Sequence, residues 1–223
     1  AWVRAHRLAA AHGLEARAIA MRDSDCDLNS VIVAREDGPI KTVTDLKGRV
    51  VAVGAVDSPQ ATLLPLAHLR SLGLNPGLDI VVQPHNVLVG KHGDHIGGER
   101  DAAQALITGE ADAACLLEYN YHQFLLDGTL PAGTTYMLTR TPSFDHCNFT
   151  VVSTAPSELI AHFQSLLIDM SYDDPDVRPL CDLEGLKAWY PGRVEGYQPL
   201  EAAVVLAGFY DQQGNITVAD YHF

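Results

Sequence analysis

The sequence predicts an α/β fold, and three observations carry that prediction. β-branched runs alternate with stretches of helical apolar spacing along the whole chain. The run "VVAV" at 50–53 is apolar at every position, which fits a strand covered on both faces of a parallel sheet. No Gly/Ser linker, internal repeat or low-complexity tract divides the 223 residues, so any two lobes must be joined by structured chain.

In chain order, "VRAHRLAAAHGL" has helical spacing and a stop at Gly13. "EARAIAMR" and "NSVIVARE" read as strands. "VTDL" is helix-like, Lys47-Gly48 a turn, and "VVAV" a strand. A helix from about 59 to 72 ends at Gly73, a suitable left-handed cap, and Pro65 must either kink it or delay its start. "LDIVVQPH" is the next strand, followed by the loop "VGKHGDHIGGE". "RDAAQALITGEADAACLLEYNYHQFL" reads as helix, turn, strand and helix, and "TTYMLTRTP" and "CNFTVVSTA" as two further strands. "PSELIAHFQSLLIDM" is an amphipathic helix with Pro156 near its start and Glu158 in its first turn. "LEGLKAWYPG" and "PLEAAVVLAGFYD" read as helix, turn, helix.

Composition narrows the function classes. The net charge of −13, with no basic stripe, argues against a nucleic-acid backbone as partner. No apolar run approaches the ~20 residues that cross a bilayer. The cysteines at 26, 115, 147 and 181 form no C-x-x-C pair; two disulfides are permitted, with three connectivities and none favoured. Cys115 reads as a small buried hydrophobe. No signal peptide stands at Ala1-Trp2.

Ile40, Asp45-Leu46-Lys47-Gly48, Val51, Gly73-Leu74 and Pro76, then Ala105, Gly109 and Asp112-Ala113, resemble the periplasmic solute-binding proteins of phosphate and phosphonate ABC transporters. The resemblance covers most of residues 30–155 and, more loosely, the C-terminal helices. It implies a two-lobed type 2 periplasmic-binding-protein-like fold, each lobe a mixed, mostly parallel sheet flanked by helices. Residues 1–42 and 143–223 would form one lobe and 43–142 the other, with a solute held in the cleft between them. The family opens with a β-α-β-α stretch, and this chain is expected to start after it. The implied function is an extracytoplasmic solute-binding component that delivers a small polar or oxyanion-type ligand to an ABC permease, as a monomer and without turnover. The alternative is an enzyme on the same fold, in cofactor or menaquinone-precursor biosynthesis, using a cleft His or Cys. No cofactor, metal or nucleic acid is expected.

Ser58 is a good N-cap and Pro59 a good first helical residue, so the N–H groups of Gln60, Ala61 and Thr62 should face out of the helix start. Such a terminus at the carboxyl end of a parallel strand is a natural anion or carbonyl site; the plainer reading is a cap facing solvent. The family carries a Ser-Thr-Ser-Gly type turn where this chain has Asp57-Ser58-Pro59-Gln60. Asp57 would repel a phosphonate, and favours a zwitterionic, cationic or hydroxyl-bearing solute. In "KHGDHIGGERD", His92, Asp94, His95 and Glu99 are plausible metal-ligand types without metal-site regularity; His95 is assigned to the solute instead. Glu118 and Tyr119 stand at the exit of the "ADAAC" strand, where the fold would turn them to the cleft. In "SFDHCNF", an extended chain would put Asp145 and Cys147 on one side and His146 and Asn148 on the other, which separates a Cys-His nucleophile pair. Asp145 and His146 complete the expected solute set with Asp57, Ser58, Gln60, Thr62, His95, Glu118 and Tyr119. Trp2 could line the cleft, and Trp189 reads as core.

Overall fold

A computed structural model of the protein describes residues 2–87 and 96–218. Its elements run α1 (Trp2–Ala11), β1 (Ala16–Arg22), β2 (Ser30–Arg35), β3 (Val50–Val53), α2 (Leu64–Ser71), β4 (Val81–Pro84), α3 (Ile96–Thr108) and β5 (Ala113–Leu117). They continue with α4 (Glu118–Asp127), β6 (Thr135–Arg140), β7 (Phe149–Val152), α5 (Ser157–Ile168), α6 (Arg178–Glu184), β8 (Trp189–Pro191) and α7 (Gln198–Ala207). No helix among the described residues is long and apolar enough to cross a membrane.

The chain forms two compact units. Unit 2 gathers Asn29–Pro142 with Ala202–Ala207 around a five-stranded sheet of order β4-β3-β5-β2-β6. β3 runs parallel to β4 and β5, whereas β2 is antiparallel to β5 and β6. Both faces are covered. Val31, Val33, Ala52, Ala114 and Leu116 point into one core with Ala102, Leu106 and Phe124 of α3 and α4. Their neighbours Ile32, Ala34, Val51, Val53, Ala113 and Cys115 point into the other, with Leu69, Leu74 and Ile80. This is why the strands read as continuous apolar runs: successive side chains alternate faces, and each face has its own layer. Each large side chain so buried contributes roughly 1.5–3 kcal/mol.

Unit 1 gathers the residues up to Leu28 with Ser143–Glu201 and Gly208–Val218, around the sheet β7-β1-β8. Here the structure departs from expectation in three ways. Both pairings of this sheet are antiparallel, where a mostly parallel one was expected. β7 and β8 run parallel to each other through the α5–α6 crossover, but β1 is inserted between them. In "LEGLKAWYPG", expected as helix and turn, the helix ends at Glu184, because Gly185 takes the left-handed cap at φ 67°, and Trp189–Pro191 then pairs with β1. Finally, the chain leaves unit 1 between Leu28 and Asn29, not after residue 42. The reason is β2, the strand hydrogen-bonded to both β5 and β6, which belongs to the unit 2 sheet. The return to unit 1 falls between Pro142 and Ser143.

Candidate functional site

At the carboxyl end of β3 the chain makes a wide π turn over Pro59–Leu63 before α2 begins. Ser58 is fully buried, and its hydroxyl accepts the Ala61 N–H at 3.1 Å. Its carbonyl accepts the Thr62 and Leu63 N–H groups at 3.2 and 3.0 Å. Two of the three N–H groups expected to face outward are therefore engaged by Ser58 itself. Leu64 N–H reaches back five residues to the Pro59 carbonyl, and Pro65 has no N–H to offer. The carbonyls of Gln60 and Ala61 thus lose their ordinary helical donors. They find others: the Ser30 hydroxyl donates to Gln60 at 2.5 Å and the Gly54 N–H to Ala61 at 3.1 Å. Pro65 neither kinks a finished helix nor simply delays one; it sits where a π turn hands over to α2.

Close packing brings a second helix start to the same place. A Cβ on Gly98, in the first turn of α3, would lie 2.5 Å from the His85 carbonyl, and one on Gly54 would lie 2.7 Å from the Ala61 Cβ. Only glycine fits at either position. The buried Glu99 carboxylate then accepts from the Gln60 amide at 3.2 Å and from the Leu117 N–H at 2.7 Å. It ties the turn after β3 to the end of the parallel strand β5. Since an acidic partner fixes the Gln60 nitrogen, its oxygen faces the other way, where Oε1 is buried and meets no donor among the described residues. Thr62 donates to the Ala55 carbonyl at 2.7 Å, and Asp57 is half-buried at the same turn.

Glu118 opens α4 directly after β5 and is ion-paired with Arg140 at 2.6 Å. Tyr119 beside it is 63% exposed. His95, with His92 and Asp94, lies outside the described residues.

The unit 1 residues behave differently from the expected solute ligands. Asp145 is fully buried and clasped bidentately by Arg193 at 2.7 and 2.8 Å, with the Asp27 N–H on the same carboxylate at 3.0 Å. The hydrogen bonds to Asp145 and Asp27 raise the Arg193 pKa above its ordinary value. Residues 145–148 are not a strand, so the alternation expected there does not hold. His146 Nδ1 approaches both Asp25 Oδ1 and Cys147 Sγ at 3.3 Å. Burial lowers the His146 pKa, but the Asp25 and Cys147 hydrogen bonds outweigh it and the net shift is upward. Burial raises the Cys147 thiol, yet its bond to His146 brings it below its usual range. A nucleophile–base–orienter relay uses the two ring nitrogens separately, whereas here both partners meet one nitrogen. Trp2 stacks on His6 at 5.4 Å and lies 6.1 Å from Tyr197, and Trp189 is half-buried on the wall of a small cavity.

Residues 1–203 match the periplasmic substrate-binding proteins of phosphonate ABC transporters. The chain belongs to that family, and it is a substrate-binding protein and not an enzyme. Solved structures give the same fold, the type 2 periplasmic-binding-protein fold. PhnD1 from Prochlorococcus marinus, in complex with methylphosphonate, has a TM-score of 0.64 and 16% identity, covering 86% of this chain and 71% of that one. XAC2383 from Xanthomonas citri, bound to ATP, has a TM-score of 0.68 and 15% identity over 92% and 76%. A binding protein of an ABC phosphonate transporter from Pseudomonas aeruginosa has a TM-score of 0.63 and 11% identity over 86% and 63%. None of the curated proteins matches the sequence. The family implies a small-molecule ligand, a membrane permease as partner and an extracytoplasmic location.

Proposed function

We propose that this chain captures, as a monomer, a small solute carrying N–H or O–H donors at the Ser58–Thr62 turn, and presents it to its permease. The observation that supports this ligand class is the Gln60 side chain. Among the described residues its Oε1 is a buried acceptor without a donor, a state that costs about 1–3 kcal/mol unless a donor meets it. A cationic, zwitterionic or hydroxylated solute supplies the missing donor; a bare dianion does not. Asp57 on the same turn favours the same choice. Ser58, Thr62, Glu118 and Tyr119 belong to the proposed solute surface with Gln60 and Asp57, and His95 is assigned to it from the sequence. Asp145 and His146 do not, because Arg193, Asp25 and Cys147 already hold them. PhnD1 and XAC2383 hold methylphosphonate and ATP on one fold, so fold does not fix the ligand.

Calorimetric titration against a panel of zwitterionic, cationic, polyhydroxylated and phosphonate solutes tests this reading. The expected result is one site for a donor-bearing solute, weakened about tenfold or more by Gln60→Leu, in line with loss of a buried hydrogen bond. Preference for a bare phosphonate, or equal affinity in the variant, would sink it.

A further inference from the structure

Asp25, His146 and Cys147 form a cluster in unit 1, outside the solute surface proposed above. We propose that these three side chains hold one divalent metal ion of the zinc class, through Asp25 Oδ1, His146 Nδ1 and Cys147 Sγ. Their ligand atoms all lie within 4.8 Å of one another. His146 Nδ1 is 3.3 Å from both the carboxylate oxygen and the sulfur. Around a tetrahedral zinc ion, with bonds of about 2.0–2.3 Å, neighbouring ligand atoms stand roughly 3.3–3.6 Å apart. Two edges of the face, both from Nδ1, thus already have tetrahedral length, the third lies within 4.8 Å, and the imidazole nitrogen directed at both partners is the one an ion would take.

Three surroundings fit the assignment. The mixed carboxylate, imidazole and thiolate set suits zinc and cobalt better than the oxygen-seeking magnesium or calcium. Arg22 holds the other Asp25 oxygen, Oδ2, at 2.6 Å and so fixes the carboxylate from behind, as ligating carboxylates are ordinarily fixed. A cavity of about 250 Å³ has two of the three ligands, Asp25 and Cys147, among its walls with Arg22, Asn148 and Trp189, which is room for water as fourth ligand. On binding, the ion takes the Nδ1 lone pair and the Cys147 thiolate, and the protons displaced from the ring and from the thiol pass to solvent.

Titration of the intact chain with Co²⁺ reads the site directly. The expected result is one Co²⁺ per chain, displaced by Zn²⁺, with a near-ultraviolet thiolate-to-cobalt band. Cys147→Ser should abolish that band and weaken uptake tenfold or more, while Cys26→Ser leaves both intact. In the unmodified chain, Zn²⁺ should shield Cys147 alone from alkylation, read by peptide mass mapping, which keeps the test decisive if the serine variant does not fold. No stoichiometric uptake, uptake without a thiolate band, or Cys147 alkylated equally fast with Zn²⁺ present would overturn the assignment.

Discussion

Ser58 shows how much one residue decides. Its hydroxyl and carbonyl together engage the N–H groups of Ala61, Thr62 and Leu63. Ser58→Ala should cost about 1 kcal/mol of unfolding free energy, seen as a lower urea midpoint at unchanged slope; an unchanged midpoint would show that the cap is not needed. The thiols give a second residue-scale expectation. Burial pushes the Cys26 thiol up to about 11, so it stays neutral at pH 8 and its alkylation should accelerate only as pH nears that value. Fast labelling of Cys26 at pH 8 would contradict this. Ser58 and Pro59 were readable as a cap and first helical residue, because capping is local. Asp25, Glu99 and Arg193 were not readable in these roles. Their partners lie 121, 39 and 48 residues away, and no spacing in the sequence encodes such pairs.

At the scale of elements, the π turn depends on substitute donors for the carbonyls it releases. Ser30→Ala removes the donor to Gln60 and leaves a buried carbonyl unsatisfied, so it should cost about 1–3 kcal/mol in equilibrium unfolding. A change within a few tenths would mean that another donor replaces it. In unit 1, a Cβ on Gly192 would lie 2.5–2.7 Å from the Ala18–Ile19 backbone, so Gly192→Ala should destabilise by about 1–3 kcal/mol or more. Thermal melts matching the parent would contradict that packing. Most helices and strands were legible because their apolar periods are long enough to be distinct. β8 was not: three residues carry no period, and only pairing with β1 makes them a strand. The Cys147 region escapes strand alternation for a related reason, since residues 145–148 lie just before β7 and outside it.

For the whole molecule, the α/β class and the binding-protein family were both legible, the first from covered apolar strands and the second from spaced motifs around Asp45–Gly48 and Asp112-Ala113. The lobe boundary was placed too late, because β2 looks the same in sequence whichever sheet it joins. Ligand class depends on a few polar atoms that fold likeness does not fix. The most direct test of the account is therefore native mass spectrometry of the chain with the solute panel, repeated on Gln60→Leu. The account predicts one donor-bearing solute per chain, released unchanged on denaturation and held about tenfold or more weakly by the variant. Recovery of a chemically altered solute, or equal retention of a bare dianion by both proteins, would contradict it.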